Sequence, residues 1–530
     1  MGAHGGPPPG PFKILAINDY VPEKVKPWIF IFLLLIVQIA GGGVYLAVLN
    51  ETANARALMT EDVQMAGFAS MAGMALIFTI MLRLKFRFTS KPILLTCAIG
   101  LIICNIICLY TSNVFVLVAA CFVAGMLRMW ATFECNSTIQ LWITPTRDMP
   151  VFFAYVYFVV NSVILLGTGG ELYVAMFTSW AYVNWLVIGL LLLMILIVVL
   201  IFNNRRFMPF MPLFGIDWLG GFMWGLSLLC LNFICIYGEH YDWFDSSEIV
   251  TATIFFVVLV GLNIYRASFI RHPFIPLPTF KYKVVYMSLI LYLLIDVLIA
   301  PSHLIEHIYF EEILGYETEQ MITVNLISWT GILVGALFVW RYFAVHKHSF
   351  KATFMIGFTG IVLYEIIMYF LIDANTTKEM FALPLFLRNF GYIVIAVVLI
   401  SDLMKVPFPH FFQSLSVQAF VSAACGSAIG LAVLKNGFSY LATKNFQLIS
   451  SNIDSVNHNL MKQSQADLSH MIQFQTLLVS FKEIYGYLVI LGIVSWLILL
   501  LYQYPYFPKN LKYPKFRAIR RMVKKEVENA

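Results

Sequence analysis

The chain reads as an all-α membrane protein: a bundle of fourteen transmembrane helices with both termini in the cytoplasm. Three observations predict this. Of 530 residues, 60% are hydrophobic and only 12% are charged, with a mean hydropathy of +0.83. A soluble domain carries about 25% charged residues, so a globule of this composition lacks the polar surface to face water. The apolar residues fall in fourteen runs long enough to span, and the basic residues collect in alternate loops.

The runs lie at about 28–49, 63–83, 92–111, 114–137, 151–173, 181–202, 217–237, 248–267, 284–308, 319–342, 352–372, 380–402, 412–435 and 484–503. With the N-terminus inside, the inner loops hold Arg83, Lys85, Arg87 and Lys91; Arg147; Arg205 and Arg206; Arg266, Arg271, Lys281 and Lys283; Arg341, Lys347 and Lys351; and Lys405. The inner tails add Lys13, Lys24, Lys26 and the basic residues from Lys509 to Lys525. Of the 34 lysines and arginines, only Arg56, Lys378, Lys435, Lys444, Lys462 and Lys482 fall in outer loops, and Arg128 and Arg388 lie within runs. The outer loops are acidic, as in EHYDWFDSSE (239–248) and EEILGYETEQ (311–320). A miscounted helix would invert every later loop and spoil the bias.

Residues 1–27 form a cytoplasmic N-terminal segment. No signal peptide is expected, because the run beginning at Trp28 is too long and has no small-residue cleavage site. Gly6 stands where the myristoylation pattern needs Ser or Thr. Between the last two runs lies a polar outer excursion, 436–483. Within it, SVNHNLMKQSQADLSHMIQFQTLLVS (455–480) has helical apolar spacing. It predicts an amphipathic helix over the mouth of the bundle, or a docking site for another protein. The tail, 504–530, is basic and suits anionic lipid. The eight cysteines all sit in apolar runs without a CxxC, as small buried hydrophobes do.

Ionisable groups inside the bilayer cost roughly 2.5–3.5 kcal/mol on insertion scales, so those retained mark function or ion pairs. Asp296 lies mid-run with no basic neighbour, and Pro301 follows to loosen the helix. Glu365 is central in the eleventh run, and Arg388 in the twelfth is its expected pairing partner. Arg128 is near mid-depth in the fourth run, with Glu134 nearer the cytoplasm. Asp296, Glu134 and Glu365 are therefore the candidate proton carriers. Arg128, Arg388, His303, Glu306 and His307 are candidates for charge tuning or gating, and Gln38, Asn161 and Ser162 for a substrate cavity.

Other chemistry is disfavoured. His303-Leu-Ile-Glu306-His307 matches a metallopeptidase pattern. However, His303 is roughly 28 Å along the helix from Val284, at the outer interface, and no third ligand is evident. No metal, haem or other cofactor is expected. No phosphate-cradling loop is present, so ATP does not drive the protein from within its own chain. Nothing points to nucleic acid. Many spans, short loops and a few buried charges describe a secondary transporter rather than an enzyme.

Several stretches carry a family likeness. The ninth run ends in Tyr309-Phe-Glu-Glu-Ile-Leu-Gly315-Tyr316. DWLG (217–220) opens the seventh, with Asp242-Trp243-Phe244 beyond it. Gly169-Gly170 and Ser179-Trp180 flank the turn into the sixth, and Arg128 lies in the fourth. On these residues the chain resembles the fourteen-span drug:proton antiporter branch of the major facilitator superfamily, the EmrB-like multidrug exporters, as a diverged member. The second loop, LRLKFRFTSKP, keeps Arg87 without the family's Gly and Asp. Ala131-Thr132 replaces Gln-Gly, Leu165-Leu166 replaces Gly-Pro, and the first run has Gln38 rather than Asp.

The resemblance implies a 6+2+6 major-facilitator-type bundle. It divides into an N-terminal six-helix unit (28–202), two extra helices (203–267) and a C-terminal six-helix unit (268–503). It implies efflux of amphipathic drugs or toxic compounds against inward protons, from a bacterial inner membrane. A periplasmic adaptor and an outer-membrane channel would be partners. The alternatives are an exporter of one metabolite, lipid or siderophore, or a subunit of such a tripartite system.

Overall fold

Without water to satisfy it, a spanning backbone must bond to itself, and the apolar runs accordingly fold as helices. The computed structural model describes residues 14–205, 213, 215–451, 465–502 and 521. Its elements are α1 (Lys26–Ile39), α2 (Leu49–Arg56), α3 (Thr60–Ile77), α4 (Met81–Arg87), α5 (Ser90–Tyr110), α6 (Val114–Ile143), α7 (Met149–Phe177), α8 (Trp180–Ile201), α9 (Trp218–Tyr237) and α10 (Ser247–Phe269). They continue with α11 (Lys283–Ile299), α12 (Ile305–Ile308), α13 (Thr318–Phe338), α14 (Phe350–Leu371), α15 (Ala382–Asp402), α16 (Phe408–Ala419), α17 (Gly426–Ser451) and α18 (Gln465–Leu501). The described part of the N-terminal segment leans on the end of α8: Ile17 bridges to Phe202, Tyr20 Oη donates to the Leu200 carbonyl at 2.8 Å, and Asp19 pairs with Arg205 at 2.8 Å.

Twelve helical elements among the described residues are long and apolar enough to cross a bilayer. A thirteenth is the pair α3–α4, bent by 68°. The expected first span, 28–49, does not form as one helix. Its α1 has 14 residues, about 21 Å, short of a ~30 Å hydrocarbon core. The break falls at Gly41-Gly42-Gly43, where Gly41 and Gly43 take φ values of +57° and +90° that end a helix. The ninth run breaks where Pro301 removes a donor. There α11 gives way to a 3-10 turn (Ala300–His303), then α12 and a π turn (Tyr309–Ile313). A second π turn (Phe420–Cys425) joins α16 to α17.

The described parts of the excursion, 436–451 and 465–483, are also not a separate helix over the mouth. Instead α17 runs on to Ser451, and α18 begins at Gln465 and continues for 37 residues, about 55 Å. The two extensions bind each other: Phe438 stacks on Phe481, and Asn445 Nδ2 donates to Ser480 Oγ at 3.1 Å. Residues 455–464 and the basic tail, apart from Arg521, lie outside the described residues, as do Lys13 and Arg206.

The helices form two groups. In the first, α3 packs on α6, α5 on α6 and α8, and α1 on α6 to α8. In the second, α11 packs on α17, α13 and α14 on α15, and α18 on α14 and α17. The groups meet where α7 crosses α13 and α15, and where α3 crosses α16 and its π turn. The α9–α10 pair lies against α3 and α17. Close crossings use small residues. A Cβ at Gly125 of α6 would fall 1.9 Å from the Ser70 carbonyl oxygen of α3. Large side chains such as Ile254, Val257 and Phe269 point outward, as lipid contact requires.

Candidate functional site

Because the helices alternate in direction, the molecule has two chemically distinct ends. Arg83, Lys85, Arg87, Lys91, Arg147, Arg205, Lys347 and Lys405 share the basic end, and Glu61, Glu239, Glu311 and Glu312 share the acidic end. A cavity of about 440 Å³ lies between the two helix groups. Its wall runs from Lys85, Arg87 and Arg205 at the basic end to Gln38, Arg128 and Asn161 at mid-depth. The first group contributes α1, α3, α4, α6 and α7. The second contributes Tyr392 and Ile400 of α15, Phe411, Phe412, Leu415 and Gln418 of α16, and Ser422 and Ala423 of its π turn.

The polar centre is built on α1 and α6. Arg128, at the midpoint of the 30-residue α6, donates through Nη2 to Gln38 Oε1 (2.9 Å) and to the Gln38 carbonyl (3.2 Å). Gln38 Nε2 donates to Thr132 Oγ1 at 2.7 Å, and Thr132 to the Arg128 carbonyl at 2.8 Å. Of the expected cavity residues, Gln38 and Asn161 line the wall. Asn161 Nδ2 is held by the Tyr157 carbonyl at 2.8 Å. Ser162 faces elsewhere, accepting from Trp329 Nε1 of α13 at 3.0 Å, and so ties the two groups together.

Glu134 also lines the wall, but among donors. Its Oε1 accepts from Ser90 Oγ (2.6 Å), Lys85 Nζ (3.3 Å) and Thr138 Oγ1 (3.3 Å). The other two carboxylates lie off the cavity. Asp296 sits in the α11–α17 contact, where a Cβ on Gly426 would come 2.0 Å from its Oδ2. Glu365 is fully buried between α14 and α18, beside Gly492. Asp296 Oδ2 and both Glu365 carboxylate oxygens meet no donor among the described residues.

The expected Arg388–Glu365 pair does not form. Arg388 pairs with Glu306, which also accepts from Tyr364 Oη at 2.6 Å; Tyr364 Oη meets Tyr485 Oη at 3.1 Å. The broken ninth helix makes this possible, because the 3-10 turn at Ala300–His303 rotates Glu306 into the bundle. His307 and His303 are accessible, and His307 Nδ1 meets Glu311 Oε2 at 3.2 Å. The HxxEH residues therefore do not converge. Among the described residues no three His, Cys, Asp or Glu side chains gather as a metal site.

Sequence reasoning missed the ties at the acidic end. Lys435 of α17 reaches Glu61 of α3 (2.9 Å) and Glu239 beyond α9 (3.5 Å). Ser439 bonds Glu239, and Tyr237 bonds Asp62. The signal was present in the strings, since Lys435 is a rare cation in an otherwise acidic set of loops. At the basic end Lys347 meets Asp148 at 3.7 Å.

Compared with known proteins, the chain matches no family model and no characterised protein by sequence. Solved structures do match. The nucleoside transporter NupG covers 90% of this chain and 99% of its own at 10% identity, with a TM-score of 0.52. A structure described as giving insight into substrate recognition in proton-dependent oligopeptide transporters covers 95% and 99% at 11% identity, with a TM-score of 0.57. Tetrameric PepTSo2 covers 90% and 97% at 10% identity, with a TM-score of 0.55. The chain has a transporter fold. At these identities the likeness extends to the fold alone, and it does not single out the drug-antiporter branch.

Proposed function

We propose that this chain is a secondary transporter that carries small amphipathic compounds by alternating access. The observation that carries the reading is the cavity between two helix groups. It reaches from the basic end to mid-depth while ion pairs tie the groups at the acidic end. By the positive-inside rule the basic end faces the cytoplasm. Counting α1 and the bent pair gives fourteen crossings with both termini inside, in the inner membrane of a bacterium. The transport mode in this reading is efflux in exchange for protons, carried by Asp296, Glu365 and Glu134. Support comes from carboxylate oxygens of Asp296 and Glu365 that meet no donor among the described residues. The projecting α17 and α18 would meet a periplasmic adaptor, which in turn would serve an outer-membrane channel. A second reading, one defined substrate, is favoured by the oriented Arg128–Gln38–Thr132 set.

The test is solute counterflow and proton release in proteoliposomes of purified protein, under an imposed pH gradient, with amphipathic cationic, neutral and anionic compounds. Compound-dependent proton movement supports exchange. Counterflow without proton movement removes the proton and leaves the carrier. Neither, from folded protein, removes both.

A further inference from the structure

We infer that the solute held in this cavity carries an anionic group, and that Arg128 is the residue that docks it. The inference rests on the transport reading of the same cavity and specifies its substrate class.

Arg128 stands at mid-depth on the cavity wall with no ion pair among the described residues. Among the described residues its side-chain hydrogen bonds go only to Gln38, a neutral amide and a backbone carbonyl, both through Nη2. Its Nε is buried with no partner, and Nη1 makes no hydrogen bond to a described residue. The one carboxylate in the wall, Glu134, is six residues away, about 9 Å along α6, and is already held by Lys85 and Ser90. Glu171 on α7 acts on Arg128 at longer range, and no ion pair joins them. The charged groups of the wall are Lys85, Arg87, Arg128 and Arg205 against Glu134, with Asp19 behind Arg205 at 2.8 Å, so the wall carries a cationic excess.

A guanidinium facing a cavity at mid-depth without a direct ion pair is a costly arrangement unless an anion completes it. The unused N–H groups of Nη1 suit one oxygen of a carboxylate or a comparable oxyanion in a charge-assisted hydrogen bond. Gln38 fixes the plane of the guanidinium through Oε1 while leaving Nη1 unengaged. The same cavity is lined by Met74, Phe78, Tyr157 and Tyr392, which fit a flat apolar body. The expected solute is thus an amphipathic anion, not a lipophilic cation.

The experiment is isothermal titration of the purified full chain with 1-naphthoate, 1-naphthamide and 1-naphthylmethylammonium, which share one ring system and differ in charge. Naphthoate should bind on the order of tenfold more tightly than the other two, the value of a charge-assisted hydrogen bond. Arg128→Gln should erase the preference and Arg128→Lys should keep part of it. Gln38→Glu, which retains the arginine but gives it a carboxylate, should erase it as well, with thermal unfolding confirming that each variant is folded. Naphthoate binding that is absent, no tighter than that of the amide or ammonium compound, or unchanged in Arg128→Gln overturns the proposal. Counterflow separates this from the transport reading. Arg128-dependent binding without exchange sinks transport and leaves the anion site. Exchange of the ammonium compound alone keeps transport and sinks the anion site.

Discussion

Two buried acidic residues illustrate how differently one residue type behaves. Glu306 has a full set of partners in Arg388 and Tyr364, whereas Glu365, one residue beyond Tyr364, has none among the described residues. Glu306→Gln should therefore destabilise the protein by about 3–5 kcal/mol, because it strands Arg388 as an unpaired buried cation. Thermal unfolding in detergent reads this directly. Asp296→Asn, by contrast, removes no hydrogen bond at Oδ2 and should leave unfolding nearly unchanged while abolishing proton-linked exchange. Retention of wild-type proton movement by that variant would strike Asp296 from the carriers. The sequence exposed all of these as charges within apolar runs. It did not show that Arg388 would choose Glu306, since that depends on how far the helix turns after Pro301.

Elements are held to one another by close backbone crossings and by caps. Gly426→Ala would place a Cβ 2.0 Å from Asp296 Oδ2 and 2.5 Å from the Val421 carbonyl oxygen, and neither the backbone nor the packed helix yields cheaply. It should separate α11 from α17 and lower both stability and flux, which a denaturation curve and counterflow would show together. At the other end of the molecule Asp217 caps α9, accepting from Gly220 N–H at 3.0 Å and from Arg266 of α10 at 2.8 Å. Burial pushes its carboxyl up, but the Arg266 and backbone hydrogen bonds more than offset this and hold it below the ordinary carboxylate range. Its contribution is thus complete above the unfolded carboxylate pKa and is lost as pH falls through the lower folded value. Asp217→Asn should cost about 1 kcal/mol at neutral pH and little in acid, a difference that unfolding at pH 7 and pH 3 would reveal. DWLG was legible as the start of a helix; that Arg266 would reach its Asp was not, because the contact spans two helices.

At the scale of the molecule, the two helix groups are tied at the acidic end while a cavity stays between them toward the basic end. Lys435 is about a quarter exposed, so each of its ion pairs is worth no more than about 1 kcal/mol and is weakened by salt. Lys435→Ala removes both and should shift the balance of conformers by up to about thirtyfold toward opening at the acidic end. Double electron–electron resonance between spin labels on Thr60→Cys and Tyr440→Cys would show a longer-distance population growing; an unchanged distance distribution would mean that Lys435 is not a latch.

By itself the sequence determined that this is a helical membrane bundle, where its apolar runs lie, and which loops share an end. Those properties follow from local hydrophobicity and from charge placed near each span, which composition records directly. It also located the Pro301 break and the mid-depth Arg128. What only the tertiary structure decided is which buried charges meet. It joined Arg388 to Glu306, Lys435 to Glu61 and Glu134 to Lys85, and bound Arg128 to the neutral Gln38. It also turned the polar excursion into extensions of α17 and α18 and cut the first run at its glycines. Pairing depends on helix rotation and on packing between residues hundreds of positions apart, and neither is encoded in the periodicity of any one segment.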